Sequence, residues 1–285
     1  MRDNRLRRLP DALQRMNLAL FLVGLTIAVS ALEALVIRSS DDQRGRRWGT
    51  NTALMVIGSA LGSLLLGTLA LTLPTMLRGL GVGVFAMWPL PAAALWIVGF
   101  LLVDVLEYAW HRLSHQVPWL WRLHAVHHAD PHVDASTTFR AHPLHALATT
   151  AYLLLVLVTL GLPPEVVLLR TAVSGVLGIL QHTDLAWLPA KWDRAAAWLI
   201  CTPRLHRLHH SRDARFFGSN YGGLLSFWDR MFGTLKLPAV DAPEQSDFGL
   251  DTMPPARAAR LWPTLLQPFA PQSLPLETPE MKKGG

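Results

Sequence analysis

Histidines are the residues of this chain best suited to chemistry, and all twelve lie between positions 111 and 210. Eight of them form three motifs with helical spacing: HRLSH at 111–115, HAVHH at 124–128 and HRLHH at 206–210. Side chains three and four residues apart share one face of a helix, so each motif can present at least two imidazoles together. Imidazole is a good ligand for iron, copper, nickel and zinc. The pattern therefore predicts a metal site built where several helices pack.

A structural or interfacial role is the alternative for any single histidine. Neutral rings crowded at the ends of apolar segments would leave many donors and acceptors unpaired, which is costly near an apolar boundary. Protonated rings would repel one another, whereas a bound cation takes a lone pair from each ring. Eight rings exceed the four ligands of a structural zinc and the three of a catalytic zinc, so the pattern favours two ions.

The kind of metal is indicated by what the first motif contains. A zinc peptidase would need a glutamate inside HExxH, but the interior of residues 111–115 is Arg-Leu-Ser. A redox metal is therefore favoured, since an iron pair can take electrons, bind O₂ and attack an unactivated C–H bond of a lipid tail. A membrane zinc protein or other metal-binding protein or hydrolase without oxygen chemistry is the alternative.

Long apolar segments must position these histidines. The chain has 285 residues, is 51% hydrophobic and only 16% charged, whereas soluble domains carry about a quarter charged residues. About 20 apolar residues cross a bilayer, and strand signals are poor. We therefore predict an all-α fold, a polytopic membrane helical bundle with a cytoplasmic histidine-rich helical cap. The apolar segments lie at 17–37 (interrupted by Glu33), 52–77, 79–103, about 143–162 and 164–180.

Four regions follow from this organisation. Residues 1–16 are a polar N-terminal tail, and residues 17–110 hold transmembrane helices. Residues 111–236 form the histidine-rich catalytic region, with an inserted membrane hairpin at about 143–180 that could be spanning or re-entrant. Residues 237–285 are a Pro-rich C-terminal tail, which we expect to be extended.

Charge suggests the orientation. Residues 181–236 carry eight Lys or Arg against four Asp, which favours the cytoplasmic side. The N-terminal arginines would then lie on the opposite face, unless residues 17–37 only dip into the membrane. The net charge of +6 does not indicate nucleic-acid binding, because the arginines flank apolar segments instead of forming a stripe with aromatic residues. The single cysteine, Cys201, excludes an internal disulfide and a cysteine-based metal site.

Four segments that together span roughly residues 100–236 carry these motifs: DVLEYAWHRLSH, LWRLHAVHHADPHVDASTTFRAHPLH, LQHTDLAWLP and TPRLHRLHHSRDARFFGSNYGGLLSFWDRMFGTL. They resemble the fatty acid hydroxylase superfamily, and most closely its bacterial sterol-desaturase-like members. The resemblance implies an integral membrane di-iron oxygenase. It also implies that the enzyme hydroxylates or desaturates a lipid (fatty acyl, sterol or related) with O₂ and with electrons from a separate reductase.

The resemblance also implies which residues hold the two Fe ions. His142 matches the histidine of the RxHP motif, and His182 matches the lone histidine before the last motif. His132 and His145 stand where similar sequences usually have other residues, so they are left out. The implied metal ligands are His111, His115, His124, His127, His128, His142, His182, His206, His209 and His210.

Residues beside these histidines could support them. Asp104 and Asp134 are candidates to orient ligand rings through the free ring N–H, and no other catalytic residue is required. Asn220, Tyr221, Trp228 and Asp229 match a signature of the family. The alanine- and arginine-rich composition favours a bacterial inner membrane.

Overall fold

The computed structural model describes residues 21, 24–36, 41–185, 188–213, 215–237 and 247–270. Within these ranges the regular structure is helical and contains no strand, which confirms the all-α prediction. The longer helices are α1 (Gly24–Val36), α2 (Arg44–Gly79), α4 (Ala92–Gln116), α5 (Pro118–His128), α6 (Pro143–Leu160) and α7 (Pro164–His182). The shorter ones are α3 (Val84–Met87), α8 (Ala190–Ala196), α9 (Pro203–His209), α10 (Phe227–Met231), α11 (Pro255–Ala258) and α12 (Leu261–Leu266).

Four stretches are long and apolar enough to cross a membrane, as predicted for a polytopic bundle. They are Arg44–Met87, Ala92–Gln116, Pro143–Leu160 and Pro164–His182. The sequence predicts that the first two spanning stretches are separated near residue 78. In the structure a turn, the short α3 and Pro91 lie between the two long helices, so the second long helix begins at Ala92. Helix α4 then continues without interruption past residue 110, so the HRLSH motif is the last part of a spanning helix.

The predicted hairpin is present as α6 and α7. Gly161 ends α6 in the left-handed conformation, with φ of 64°, and Pro164 begins α7. A Cβ on Gly83 would lie 2.5 Å from Gly161 Cα, so the turn before α3 packs closely against this hairpin turn. With 18 and 19 residues the two helices are each about 27–28 Å long. This length favours a spanning hairpin over a re-entrant one.

The first described helix is tied to the histidine end of the bundle. The buried carboxylate of Glu33 accepts hydrogen bonds from the backbone N–H of Ala135 (3.1 Å) and Asp184 (2.7 Å) and from the Thr183 hydroxyl (2.6 Å). The end of α1 therefore meets the end of α7. The N-terminal tail, with its arginines, lies outside the described residues.

A buried charge cluster joins the spanning helices. Arg170 of α7 forms ion pairs with Asp104 and Glu107 of α4, and Trp228 of α10 donates its indole N–H to Asp104 (2.6 Å). Arg170 and Asp104 are almost completely buried. Charged groups at membrane depth normally face the bundle interior and pair in this way.

The expectation of an extended C-terminal tail is wrong for residues 255–269. These residues form α11, α12 and a 3₁₀ turn at Gln267–Phe269, and the 3₁₀ turn packs against α5. The Gln267 side-chain amide donates to the carbonyl of Ala125 (3.1 Å), and the Arg140 guanidinium donates to that of Ala258 (2.9 Å). Pro255 and Pro268 stand at the first positions of their helical turns, where a proline costs little. Residues 271–285 lie outside the described part of the chain.

Candidate metal centre

Nine imidazoles converge into two groups at the histidine end of the bundle. In each group the candidate ligand atoms all lie within 4.8 Å of one another. The five-histidine group consists of His111, His115, His124, His128 and His209. The four-histidine group consists of His127, His182, His206 and His210. The groups adjoin, since the rings of His128 and His210 stack with their centroids 4.5 Å apart.

The two HxxHH motifs serve both groups reciprocally. In HAVHH, the i and i+4 residues His124 and His128 enter the five-histidine group, while His127 enters the other. In HRLHH the assignment is reversed, because its i and i+4 residues enter the four-histidine group and His209 enters the five-histidine group. A helix directs i and i+4 to one side and i+3 slightly round its axis. A helix lying between two groups can therefore supply both, which explains why the spacing occurs twice.

Backbone carbonyls orient four of the rings. In the five-histidine group, His111 donates its Nδ1–H to the carbonyl of Tyr221 (2.8 Å), and His209 donates its Nδ1–H to the carbonyl of Ser219 (2.7 Å). In the four-histidine group, Nδ1–H of His127 donates to the carbonyl of Arg140 (3.1 Å), and that of His182 to the carbonyl of Gly178 (2.7 Å). These bonds place the proton on Nδ1 and leave Nε2 as the atom with a lone pair, as is usual for metal-binding histidines.

The loop that supplies two of these carbonyls is held rigidly. Asn220 adopts a positive φ of 58°, and its side chain bonds the backbone of Lys236 in both directions (3.0 and 2.8 Å). The carboxylate of Asp229 accepts the N–H groups of Tyr221 and Gly222, each at 2.7 Å. The signature residues Asn220, Tyr221 and Asp229 thus form the support for His111 and His209.

The ring nitrogens are arranged so that lone pairs face each other, which suits a bound cation and not a direct contact between neutral rings. Nε2 of His127 and Nε2 of His182 are 3.3 Å apart, and both rings already donate from Nδ1 to a carbonyl. In neutral rings two lone pairs would face each other there, which is unfavourable unless a cation lies between them. Among the described residues, the buried ring nitrogens of His115 and His128, and Nε2 of His209, have no hydrogen-bond partner. These atoms are suitable donors for a metal ion.

Burial keeps the rings in the form that binds metal. Burial, followed by repulsion from neighbouring imidazoles, lowers the pKa of His124, His128, His206 and His210 far below the ordinary value of 6.5. The rings are therefore neutral at neutral pH in the metal-free protein. Metal binding requires neutral imidazole, so no proton has to be displaced.

Three further histidines lie outside both groups. His142, predicted as a ligand, caps α6: its Nδ1 accepts from the Leu144 N–H (3.2 Å), and its Nε2 faces the Leu265 carbonyl (3.1 Å). His145 packs beside the five-histidine group, with its ring centroid 4.9 Å from that of His124, and its Nε2 lies 3.3 Å from the Ser114 hydroxyl. His132 is about half exposed near Asp41.

The two carboxylates considered as ring-orienting groups bind arginines and indoles. Asp104 pairs with Arg170 and Trp228, and Asp134 pairs with Arg47, accepts from Trp48 (2.9 Å) and caps the 3₁₀ turn Ala135–Phe139. Within the described residues neither accepts a hydrogen bond from an imidazole. The carbonyls of Tyr221, Ser219, Arg140 and Gly178 take that place, and a backbone atom leaves no residue-type signal in a sequence.

Arg140 is the supporting residue to which the sequence analysis gave no role. Its buried guanidinium donates to the carbonyl of Val126 (2.9 Å) and to the side chain of Asn51 (2.8 Å), and its own carbonyl faces His127. The available signal was its place in the RxHP motif. It therefore links α2, α5 and the C-terminal helices behind the four-histidine group.

Comparison with known proteins shows which family the histidine-bearing segment is similar to. The family model described as fatty acid hydroxylase matches residues 96–234, which contain all nine converging histidines. Residues 96–234, just under half of the chain, match the fatty acid hydroxylase family. This match and the four helices that are long and apolar enough to cross a membrane support an integral membrane protein. No solved structure gives a significant match to it.

Curated relatives of the fatty acid hydroxylase segment include enzymes from bacteria and animals. An ornithine lipid hydroxylase of Rhizobium tropici is 33% identical over 165 residues, which cover 57% of this chain and 48% of the relative. An alkylglycerol monooxygenase of Danio rerio is 31% identical, with 53% of this chain and 32% of the relative covered. A cholesterol 25-hydroxylase of Rattus norvegicus is 31% identical, with coverage of 49% and 46%. The matched stretch spans less than half the length of each of these relatives.

Proposed function

We propose that this protein is a membrane di-iron oxygenase that oxidises a lipid with O₂ and externally supplied electrons. The observation that carries the proposal is the convergence of nine histidines, seven of them buried and two partly buried, into two adjoining groups at the end of apolar helices. Two separate sets of imidazole donors fit two ions, and the family match favours iron over zinc. The proposed ligands are the nine members of the two groups, whereas His142 serves as a helix cap.

The residues of the chain have defined tasks in this reaction. When bound, the iron pair would supply the redox chemistry that activates O₂. The histidines hold the metal through Nε2 or through their unpartnered ring nitrogens, and the carbonyls of Tyr221 and Arg140 fix the ring orientations. The surrounding apolar helices keep water from the reacting carbon and admit a lipid tail from the bilayer.

The substrate class follows from the membrane setting and from the relatives. Those relatives are named for ornithine lipids, alkylglycerols and cholesterol, which share long apolar chains or rings. Hydroxylation uses O₂, two electrons and two protons to turn C–H into C–OH and one water, whereas desaturation removes two hydrogens and gives two waters. Names ending in hydroxylase and monooxygenase support the first outcome for this chain. We further propose a separate reductase as electron donor and a cytoplasmic position of the histidine groups in a bacterial inner membrane.

The test combines metal analysis with lipid oxidation. Purified protein in lipid nanodiscs should contain iron, close to two ions per chain, and should consume O₂ when given a reductase and a lipid extract. Mass spectrometry of that extract should show a product heavier by one oxygen atom, or lighter by two hydrogens if desaturation occurs. If the protein retained only zinc after separate reconstitution with iron and with zinc, and consumed no O₂, the alternative of a metal protein without oxygen chemistry would be favoured.

A matched pair of variants separates the site from general effects. His127→Ala removes a member of the four-histidine group and should abolish product formation and lower the iron content. His132→Ala removes an exposed histidine outside both groups and should leave iron and product unchanged. Equal activity and iron in His127→Ala and in the unaltered protein would overturn the proposed site.

A further inference from the structure

An apolar surface lies outside the four candidate spanning helices. Eight large apolar residues in and beside α8 and α10 are 38–59% exposed. This set, called the α8–α10 surface below, consists of Leu188, Trp192, Trp198, Leu199, Ile200, Phe227, Met231 and Phe232. Such a concentration of exposed apolar side chains is unfavourable in water and indicates an interaction site.

These residues form one continuous surface. The backbone N–H of Phe227 donates to the carbonyl of Leu199 (3.3 Å), and the hydroxyl of Ser226 donates to that of Ala197 (2.7 Å). The Arg230 guanidinium lies 5.1 Å from the ring centroid of Trp198. Helix α10 and the segment after α8 are therefore packed against each other.

The depth of this surface is set by its contacts with α4. The indole of Trp228 bonds Asp104 (2.6 Å), and the ring of Phe232 stacks on Tyr108 with centroids 5.4 Å apart. Asp104 is the thirteenth of the 25 residues of α4, so about 18 Å of helix follows it. Helix α10 thus lies beside the second half of α4, between its middle residue Asp104 and the HRLSH motif.

The polar residues of the surface match a membrane boundary. The Lys191 ammonium lies 5.5 Å from the ring centroid of Trp192, and Arg230 covers Trp198. Lys191 and Arg230 are both exposed. Tryptophan beside lysine or arginine is typical of residues at the headgroup level, where the aliphatic stem stays in apolar surroundings and the charge reaches anionic headgroups.

We propose that the α8–α10 surface is embedded in the bilayer leaflet on the histidine side, as a continuation of the lipid-facing surface of α4. Its partner is the membrane itself: acyl chains against Leu199 and Met231, and anionic headgroups near Lys191 and Arg230. The region after α7 then does not form a cap wholly outside the membrane. One side of it sinks to the depth of the Tyr108 ring and carries the loop that supports His111 into the leaflet.

Spin labels at single cysteines test this placement. The native Cys201 is buried, which raises the pKa of its thiol far above the usual value and keeps it unreactive; Cys201→Ala removes it from the background. Leu199→Cys and Met231→Cys place the label on the surface, and Asp251→Cys places a control label on an exposed acidic side chain of the C-terminal segment. Each labelled protein is reconstituted in nanodiscs of phosphatidylcholine and phosphatidylglycerol.

Accessibility to two relaxing agents then gives the result. Labels at 199 and 231 should be relaxed by O₂, which concentrates in hydrocarbon, and be several-fold less accessible to the water-soluble nickel chelate than the label at 251. Strong relaxation by the nickel chelate at both positions would show a water-exposed face and overturn the proposal. Protection from both agents would show that protein covers the surface, either a second copy or another part of this chain, and would also overturn it. Metal content of each variant confirms that the labelled protein is folded.

Discussion

The carboxylate of Asp229 holds the backbone of Tyr221 at 2.7 Å, and the carbonyl of Tyr221 in turn lies 2.8 Å from Nδ1 of His111. A residue that contacts no histidine therefore sets the direction of a metal-site ring. The same carboxylate accepts hydrogen bonds from the Gly222 N–H and from the Thr234 hydroxyl, each at 2.7 Å, so both of its oxygen atoms have hydrogen-bond donors.

Asp229→Asn should weaken the support of the Tyr221 backbone, because it changes the hydrogen-bonding groups of the side chain but not the size of that side chain. One carboxylate oxygen becomes an NH₂ group that faces a backbone N–H, so a buried donor is left without an acceptor at a cost of about 1–3 kcal/mol. We expect a lower free energy of unfolding and reduced metal content, measured by denaturant titration and elemental analysis. Asp251→Asn makes the same change in an exposed ion pair and should alter neither quantity. Unchanged metal binding in Asp229→Asn would contradict the role assigned to the loop.

The reciprocal use of the HxxHH motifs predicts which single histidines matter to which group. His209→Ala should empty the five-histidine group, and His127→Ala the four-histidine group. Each should therefore lose roughly half of the metal, because removing one member of a ligand set weakens one site most. Metal per chain and the electronic spectrum of the metal-loaded protein measure both effects. The two variants should lose different spectral components.

His142→Ala provides the contrast to these two substitutions. Its ring caps α6 and lies outside both groups, so we expect full metal content and a stability loss of about 1 kcal/mol, the usual cost of losing a helix cap. Metal loss equal to that of His209→Ala would instead favour the ligand role that the sequence resemblance implied for His142.

The buried charge cluster gives a prediction about stability. Arg170→Leu would leave Asp104 and Glu107 buried in a spanning region without their cation, and removing one partner of a buried ion pair costs about 3–5 kcal/mol. Thermal or detergent-induced unfolding followed by circular dichroism should show the loss. Arg212→Leu breaks only exposed ion pairs, with Asp247 and Asp251, and should cost less than about 1 kcal/mol for each pair. Similar stability of the two variants would show that Arg170 does not neutralise this cluster.

Local pattern made much of this architecture predictable. Hydropathy located the spanning segments, and Gly161 with its following prolines located the hairpin turn, because both properties act within a short stretch of chain. Histidine spacing predicted a metal site for the same reason, and the number of histidines suggested two ions, which stays a prediction. The division of HAVHH and HRLHH between two groups did not follow, because it depends on how α5 and α9 are rotated against α4 and α7.

Long-range contacts explain the remaining differences. The proline content of residues 255–269 suggested an extended tail, but those prolines occupy first turns of short helices that find partners on α5. Glu33 interrupts an apolar segment in the sequence, yet it binds two backbone N–H groups and the Thr183 hydroxyl more than 100 residues away. Neither partner set can be read from neighbouring residues.

Arg140→Lys tests whether the guanidinium shape, and not only its charge, supports the four-histidine group. The guanidinium fork reaches the carbonyls of Val126 and Ala258 and the side chain of Asn51 simultaneously, and a lysine ammonium is a single point that cannot reach all three. At least one buried acceptor would lose its donor, so we expect a loss of about 1–3 kcal/mol in unfolding free energy for each such acceptor. Because the Arg140 carbonyl orients His127, metal should dissociate faster from the four-histidine group, measured by competition with a chelator.

Arg215→Lys, in an exposed pair with Asp213, is the matched control and should leave stability and metal release unchanged. If Arg140→Lys released metal no faster than this control, the link from Arg140 to His127 would be refuted.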